Sequence, residues 1–560
     1  MIRTTPQRTP RRRRPSIRLA VAAGVASTMA LTACAAGEAA APGAASEGPV
    51  TGGTLTYLEH QAYTTLYPPA AGFYPNGALV NNLTARLLHQ DPETLELEPW
   101  IATALPEVND DATEYTFDIR TDVTYSDGTP LTAENVVANL DLFGLGDQDR
   151  ALIVSEAVNN YERGEVVDDD TVRFHFRAPA PGFAQAVSTI NSGLLADATL
   201  ERDSEGFGPG NAADIIGAGP FTVESEQVGT SIRLAAREDY AWAPPSAENQ
   251  GRPYVDAVDI VIAPEDSVRI GSLASGQAHI ARQVEPQHEE QVTSAGLSLH
   301  AAQTNGVNNG LSFRFDHPLL QDIRVRRALI AGIDREEVVS SIFSDAYPLA
   351  TSSLSSTALG YSEQEDAYAY DPELAEQLLD DAGWVVGADG IRVRDGQRLR
   401  LVVNEALPQP RSRDVITLVA QQLREIGVEL ELFQGDQAAQ TAASTDIDQI
   451  QIYHSMVGRA DFDVIKSQFS IDNRNTLLNE GADGQPIDAE LEALLQQVAS
   501  EPDTEARAAA SAAVQAHLTE QAYVLPFFEE PQVYGVQPQV HGFETESVGR
   551  PTLSGVWLEG

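Results

Sequence analysis

The chain of 560 residues contains a single cysteine, Cys34, so no internal disulfide can stabilise its fold. A chain without disulfides must be held together by its hydrophobic core. One core rarely supports more than about 250–300 residues, so we expect two or three domains.

The residues before Cys34 have the composition of an export signal. Residues 1–18 carry seven arginines and no acidic residue. Residues 19–31 form an apolar stretch of about 13 residues, which is too short to span a bilayer. The sequence LTAC that ends at Cys34 resembles the lipobox of bacterial lipoproteins, which implies a signal peptide over residues 1–33 and lipidation of Cys34. An ordinary signal peptide that happens to contain a cysteine is the alternative.

The residues after Cys34 predict a flexible tether. Residues 34–53 are rich in Ala, Gly, Pro and Ser, and such a segment has a mean reach of about 25 Å. We therefore expect a lipid-anchored protein at the extracytoplasmic face of the bacterial cell membrane. The formal net charge of −46 argues against binding of nucleic acid or anionic lipid headgroups through general electrostatics.

The remaining sequence mixes strand and helix patterns. Apolar residues alternate with polar residues over 115–119 and 172–176, which predicts two half-buried strands. Thr132 is placed to cap a helix, and Asp334 followed by Glu337 has the spacing of a capping box. Mixed patterns of this kind indicate an α/β architecture with mixed sheets.

Two further helices can be bounded from the sequence. Asp371 followed by Pro372 predicts a cap and a first helical residue, and Gly383 marks the end of that helix. Residues 416–426 keep helical spacing up to a glycine, after which residues 428–432 alternate as a strand.

Several segments, taken in order, resemble a known family, the peptide-binding class of extracytoplasmic solute-binding proteins that serve ABC importers (family 5). The most specific segment is YTFDIR at residues 115–120 followed by YSDGTPLTAENV at residues 125–136. Further matching segments are GAGPF at 217–221, AREDYAW at 236–242, LSFRF at 311–315, IRVRRAL at 323–329, IDRE at 333–336, YDPE at 370–373 and AGW at 382–384.

The resemblance implies a two-lobed periplasmic-binding-protein fold, the Venus flytrap of type II or cluster C, with an extra subdomain in the first lobe. The expected boundaries are 54–92, 215–305 and 523–560 for lobe I, 93–214 for the extra subdomain and 306–522 for lobe II. We expect the pair Asn305-Gly306 to act as a flexible hinge in the first crossing between lobes.

Signatures of catalysis are absent from the sequence. It contains no Gly-x-Ser-x-Gly elbow, no His-Glu-x-x-His pair and no Walker A loop. The stretch GFGPG at residues 206–210 lacks the trailing glycine of a dinucleotide fingerprint. The ten histidines are scattered, so we expect neither a metal site nor a cofactor, and no enzymatic activity.

The segment around Asp461 is the main candidate for a ligand site. Gly458-Arg459-Ala460-Asp461 resembles the family segment whose acid binds the ammonium terminus of a peptide, and a partly buried carboxylate suits that role. The alternative is that Asp461 caps the following helix. Arg459 and Arg314 are candidates for the ligand carboxylate, and pairing with surface acids is the alternative for both. The family segment usually has an asparagine at the position of Arg314.

Four aromatic residues complete the predicted site. Tyr63 and Tyr67 follow the first strand, where the family's first lobe reaches the cleft, and packing within the loop is the alternative role. Tyr453 and Phe462 flank the acidic segment and are expected to line the same pocket, with a place in the core as the alternative.

The resemblance implies a monomeric binding component that captures peptides and delivers them to an ABC permease and its ATPase subunits by hinge closure. Peptides would bind mainly through backbone pairing as an added strand. A receptor of the same fold for oligosaccharide or a metal chelate is an alternative, as is a surface enzyme or adhesin.

Overall fold

The computed structural model describes residues 48–406, 409, 411–472 and 477–559. Cys34, the predicted signal peptide and residues 34–47 of the predicted tether lie outside these residues. Within the described residues, no helix combines the length and the apolar character needed to cross a membrane.

The strands are β1 (Thr54–Glu59), β2 (Leu88–Gln90), β3 (Leu97–Pro99), β4 (Glu107–Val108), β5 (Glu114–Asp118), β6 (Tyr161–Asp168), β7 (Thr171–Phe176), β8 (Phe221–Gln227), β9 (Ser231–Ala236), β10 (Ala257–Ile262), β11 (Ile280–Arg282), β12 (Ser298–Ala302), β13 (Gly306–Phe313), β14 (Val385–Val386), β15 (Arg392–Arg394), β16 (Gln397–Arg398), β17 (Arg400–Val403), β18 (Glu429–Leu432), β19 (Ile452–Gly458), β20 (Val524–Phe528), β21 (Gln532–Val536), β22 (Val540–His541), β23 (Glu544–Thr545), β24 (Pro551–Thr552) and β25 (Trp557–Leu558).

The α-helices are α1 (Tyr74–Leu83), α2 (Ala133–Leu145), α3 (Phe183–Ala186), α4 (Asp197–Leu200), α5 (Asp266–Ala274), α6 (Pro286–Ser294), α7 (Ile323–Ala331), α8 (Arg335–Ile342), α9 (Pro372–Asp381), α10 (Ser412–Glu425), α11 (Gln437–Ser444), α12 (Val464–Phe469), α13 (Ala489–Ser500) and α14 (Thr504–Glu520). Short 3-10 helices span Pro68–Ala70, Ile190–Ser192, Glu205–Phe207, Ala212–Asp214 and Glu365–Tyr368.

Two mixed sheets organise the fold, which is the two-lobed α/β architecture expected from the sequence. The first sheet has seven strands in the order β12-β21-β11-β1-β10-β9-β8, with β1 parallel to β10 and β11. The second sheet has five strands in the order β18-β17-β19-β13-β20, with β17 parallel to β18 and β19. We call these the first and second lobes. A four-stranded antiparallel sheet, β4-β5-β7-β6, forms a small unit with α2.

The chain passes between the two lobes at two crossings. The first crossing lies between Ala302, at the end of β12, and Gly306, at the start of β13. The second lies between Phe528, at the end of β20, and Gln532, at the start of β21. Because β20 pairs with β13, residues 524–528 belong to the second sheet, whereas the sequence boundary at 522/523 assigned them to the first lobe.

The predicted N-caps are confirmed, but the reciprocal bond of the capping box at Asp334 does not form, because Asp334 N donates to Gln422 Oε1 at 3.1 Å and not to Glu337. The side chains of Thr132, Asp334 and Asp371 each accept a hydrogen bond from a backbone N–H in the first turn of the helix that follows. Pro372 is the first residue of α9, and Gly383 after its end has a φ of 83°, a conformation that favours glycine. These signals depend on neighbours in sequence, so they can be predicted before the tertiary structure is known.

Candidate functional site

Arg459 and Asp461 form a buried ion pair directly after β19, the central strand of the second sheet. Arg459 Nε donates to Asp461 Oδ2, and Arg459 Nη2 donates to Asp461 Oδ1 at 3.1 Å. The Asp461 side chain is 2% exposed, and burial raises the pKa of its carboxyl. Both carboxylate oxygens are therefore engaged within the protein, and Arg459 Nη1 also lies 3.8 Å from Oε1 of the partly exposed Glu156.

The alternative that Asp461 caps the following helix is wrong. Helix α12 begins at Val464, and Asp463 occupies the position before it without accepting a capping hydrogen bond. Asp463 instead forms a buried ion pair with Arg507, and Asn159 Nδ2 donates to Asp463 Oδ2 at 2.8 Å. Two buried ion pairs thus lie two residues apart on the segment before α12.

The segment before α12 joins the second lobe to the small unit. Arg459 Nη1 donates to the Glu156 carbonyl at 3.3 Å, and Ser467 Oγ donates to the same carbonyl at 3.1 Å. Arg459 Nη2 also donates to Ser467 Oγ at 2.7 Å. The Arg459–Asp461 pair therefore connects parts of the chain that are about 300 residues apart in sequence.

A polar cavity of about 480 Å³ lies beside this junction. It is lined from the small unit by Glu156 and Asn159, and from the second lobe by Lys466 and Asp472. Lys466 is the only lysine of the chain. Its Nζ donates to Asn159 Oδ1 at 3.3 Å and lies 3.9 Å from Asp472 Oδ2, while burial lowers its pKa. The cavity thus offers both donors and acceptors to a solute.

Arg314 and Tyr453 lie together inside the second lobe. Arg314 is fully buried, and its Nη1 and Nη2 donate to the carbonyls of Ile450 at 2.9 Å and Ser444 at 2.7 Å. Its guanidinium carbon lies 5.1 Å from the ring centroid of Tyr453. Arg314 thus donates to two backbone carbonyls inside the second lobe.

The other predicted aromatic residues are buried. The guanidinium carbon of Arg507 lies 4.9 Å from the ring centroid of Phe462. Tyr63 Oη donates to Glu226 Oε1 at 2.8 Å within the first lobe. Tyr67 Oη donates at 3.3 Å to the carbonyls of Leu142 and Ile153. Tyr63 and Tyr67 thus connect the loop after β1 with other parts of the protein.

A second polar cluster, which the sequence did not reveal, surrounds Arg282 at the end of β11. Arg282 Nε donates to Glu59 Oε2 and Arg282 Nη2 donates to Glu59 Oε1, both at 2.8 Å, and the two side chains are buried. Arg282 Nη1 donates to Gln532 Oε1 at 2.7 Å. Burial opposes ionisation of Glu59, yet the charge of Arg282 and the hydrogen bonds from His60 and Arg282 hold its pKa below the usual range.

Glu530 lies beside this cluster, in the second crossing. A small cavity of about 30 Å³ is lined by Arg282, Gln532 and Glu530 together with Gln409 of the second lobe. Asn309 Nδ2 donates to Glu530 Oε2 at 3.2 Å, and the side-chain amide of Gln409 lies 2.6 Å from the same oxygen. Burial raises the pKa of Glu530 to about 8. A protonated Glu530 donates to an amide oxygen at Gln409, whereas an ionised Glu530 requires the amide nitrogen there.

One sequence signal could have located the Arg282 cluster. Glu59, Arg282 and Glu530 each lie at or just beyond the end of a buried strand, where a charged residue is unusual unless it is paired. Their partners come from distant strands, so the signal marks the positions without identifying the pairs. In the part of the chain that the structure describes, no group of three or more His, Cys, Asp or Glu side chains is placed to hold a metal ion.

Comparison with protein families identifies residues 96–474 as matching the model described as bacterial extracellular solute-binding proteins, family 5 Middle. Protein XP55 of Streptomyces lividans is 27% identical over 364 residues, covering 62% of this chain and 60% of that protein. The dipeptide-binding protein of Escherichia coli K12 is 27% identical over 321 residues, covering 53% of this chain. The chain thus matches about three fifths of the length of these curated relatives, 60% and 57% respectively.

Among solved structures, NikA from Brucella suis in complex with Fe(III)-EDTA superimposes with a TM-score of 0.75. The sequence identity is 21%, and the alignment covers 90% of this chain and 100% of NikA. At that identity, the similarity establishes the fold, including the two lobes.

We predict that Glu530→Gln will reduce the pH dependence of stability. The folded-state pKa of Glu530 is raised from 4.5 to about 8, so between these values the folded protein holds a proton that the unfolded chain releases. Stability therefore falls as the pH rises through this window, by up to about 1.4 kcal/mol per pH unit. Urea unfolding measured at several pH values between 4.5 and 8 gives the free energy of unfolding at each pH. This free energy should fall less steeply with rising pH in Glu530→Gln than in the native protein.

The neighbouring Glu529 provides a matched control. It is also buried, and it accepts hydrogen bonds from Ser356 N at 2.9 Å and Ser356 Oγ at 3.0 Å. Glu529→Gln should leave the contribution of Glu530 in place. If the free energy of unfolding falls equally steeply with pH in the native protein and in Glu530→Gln, Glu530 does not retain its proton in the folded state.

Proposed function

We propose, from the premise that this chain belongs to the bacterial extracellular solute-binding proteins of family 5, that it captures a small solute between its two lobes for an ABC importer. The observation that carries this proposal is the convergence of buried polar groups at the second crossing. Arg282 and Gln532 come from the first lobe, Glu530 from the crossing itself and Gln409 from the second lobe. A solute held by groups from both lobes stabilises the closed arrangement of the lobes.

The solute class that we propose is a peptide. The E. coli relative is described as a dipeptide-binding protein, and 27% identity over 321 residues supports a related ligand. The NikA structure contains Fe(III)-EDTA, so a metal chelate is the second candidate. Delivery to a permease and its ATPase subunits, by a monomeric protein, completes the proposed function, which requires binding and release rather than catalysis.

The ion pair at Asp461 sets a condition for peptide binding there. Arg459 engages both oxygens of the Asp461 carboxylate, so a peptide ammonium must replace the guanidinium to reach it. We propose that a peptide approaches through the 480 Å³ cavity beside the junction, since Glu156, whose carbonyl accepts a hydrogen bond from Arg459, lines it. We propose that the ammonium of the peptide and Arg459 exchange at Asp461 and that the released Arg459 meets the peptide carboxylate or backbone.

Arg314, Tyr63, Tyr67, Tyr453 and Phe462 remain predictions for the same site. Tyr453 is half-buried, whereas the other four are buried. We propose that lobe movement, by separating the small unit from the second lobe, gives a ligand access to those of them that line the cleft. Hinge movement at Asn305 and Gly306 would allow this, since Gly306 has a φ of 132° that only glycine adopts readily.

We expect the native protein to retain its solute during purification, because a ligand held between closed lobes dissociates slowly. Mass spectrometry of the released small molecules should identify a peptide. The recovered peptide, added back at about 100 times its dissociation constant, should stabilise the protein by roughly 2.7 kcal/mol in urea unfolding. Recovery of a metal chelate or sugar would replace the peptide assignment. Absence of any retained solute, with no stabilisation by a tetrapeptide library, would contradict the solute-binding proposal.

We predict that Asp461→Asn will weaken binding of peptides with a free N-terminus about ten- to a hundredfold, since a hydrogen bond to a charged group contributes roughly 1.5–3 kcal/mol. N-acetylated peptides lack that charge and should lose much less affinity. Titration calorimetry with matched free and acetylated tetrapeptides measures the difference. Asp463→Asn, which disrupts the adjacent ion pair with Arg507, controls for general loosening of the segment. Equal losses for both peptides would assign Asp461 a purely structural role.

We propose that Cys34 anchors the protein to the outer face of the cytoplasmic membrane through lipid. Cys34→Ser should release the protein into the medium or leave an unprocessed precursor, because the acylated residue is lost. Cell fractionation combined with the mass of the mature N-terminus distinguishes these products from the native one. Normal processing and membrane retention of the Cys34→Ser protein would rule out the lipid anchor.

A further inference from the structure

A cavity of about 540 Å³ lies mainly in the first lobe and shares no lining residue with the cavities of about 480 Å³ and 30 Å³ described above. Its walls come from the end of α1 and the segment after it, the end of β12, and the C-terminal residues 543–554. Asn305 of the first crossing and Thr357 of the second lobe also line it. The aromatic side chains of Trp100, Tyr240 and Phe543 line it. This volume lies within the usual range of small-molecule sites, about 300–1,000 Å³.

Arg86 lines this cavity and has incomplete hydrogen bonding within the protein. It is 5% exposed, its Nη2 donates to Asn81 Oδ1 at 2.8 Å, and its guanidinium carbon lies 4.8 Å from the ring centroid of Trp100. Within the described residues, its buried Nε has no hydrogen-bond partner. Burial lowers its pKa to about 10, so the group is still charged at neutral pH. A buried cation of this kind favours an anionic partner.

His300 presents a second buried polar atom without a partner. Its Nε2 makes no hydrogen bond to any described residue, and the ring packs 5.4 Å from Phe543 and 6.2 Å from Tyr534 between centroids. Burial lowers the pKa of His300. A neutral imidazole can donate or accept at Nε2 according to its tautomer, so it can bind either end of a polar ligand.

Acidic residues line the more exposed part of the same cavity. Glu93 and Glu544 are exposed, and Asp91 and Glu546 are half-buried. Arg550 Nη1 already donates to Glu546 at 3.3 Å, whereas Glu93 and Glu544 face solvent. The cavity therefore combines a buried cation, aromatic walls and an acidic rim.

We propose that this cavity binds a small zwitterion of the α-amino acid class, with its carboxylate at Arg86, its ammonium toward the acidic rim and its side chain against the aromatic walls. A simple anion would be repelled by the four acidic residues at the rim, and a simple cation would leave the buried Nε of Arg86 without a hydrogen-bond partner. A zwitterion offers a carboxylate to Arg86 and an ammonium group to the acidic rim. This cavity shares no lining residue with the two cavities assigned to the proposed solute site.

Equilibrium dialysis of the purified protein against each of the common L-α-amino acids tests the proposal. At least one amino acid should bind saturably, and Arg86→Met should weaken that binding about ten- to a hundredfold, as loss of a charge-assisted hydrogen bond predicts. The corresponding amino acid amide, which lacks the carboxylate, should bind weakly to the native protein and respond little to Arg86→Met.

A cavity-filling variant keeps the test decisive if Arg86→Met unfolds. Ala247 lines the cavity and is only partly buried, so Ala247→Phe should occupy the site and abolish amino acid binding in a folded protein. Asp461→Asn, at the other site, should leave amino acid binding unchanged, and Ala247→Phe should leave tetrapeptide binding unchanged. Because each variant changes only one site, the two variants show separately whether the peptide proposal or the amino acid proposal fails.

The proposal is overturned if no amino acid binds, or if Ala247→Phe leaves amino acid binding intact, since the bound molecule would then lie elsewhere. Equal affinity of the amino acid and its amide would contradict the role of Arg86. Near-ultraviolet circular dichroism of each variant shows whether it is folded.

Discussion

The double crossing between the two sheets is the constraint on which the rest of the structure depends. Each sheet contains strands from distant parts of the chain, and β13 and β20 bring residues 306–313 and 524–528 side by side in the second sheet. Neither lobe is complete until both crossings have formed. Movement between the lobes therefore requires changes at the two crossings, between Ala302 and Gly306 and between Phe528 and Gln532.

Buried charge is concentrated around these crossings and the adjoining junction. The Glu59–Arg282 pair stands beside Glu530, and the Arg459–Asp461 and Arg507–Asp463 pairs hold the small unit against the second lobe. Removing one partner from such a pair is strongly destabilising, whereas the pair itself contributes little net stability. We therefore interpret these pairs as groups that specify the arrangement of the lobes.

Arg86 contrasts with those pairs. Arg459, Arg507 and Arg282 each meet a carboxylate, while Arg86 meets an amide oxygen and an aromatic face at the wall of a cavity. Within the described residues, Arg86 makes no hydrogen bond to a carboxylate, and this feature, rather than the degree of burial, distinguishes the proposed amino acid site from a structural ion pair.

The sequence by itself determined the α/β class, the caps at Thr132, Asp334 and Asp371, and the family through its ordered motifs, because these depend on residues close together in the chain. Only the tertiary structure decided that Arg459 forms an ion pair with Asp461 and that the buried Arg314 donates to backbone carbonyls. It also decided that residues 524–528 complete the second sheet. It also revealed Glu530 and Arg86, whose surroundings come from strands and loops up to several hundred residues away. Burial and pairing are properties of such distant neighbours, so no local pattern could predict them.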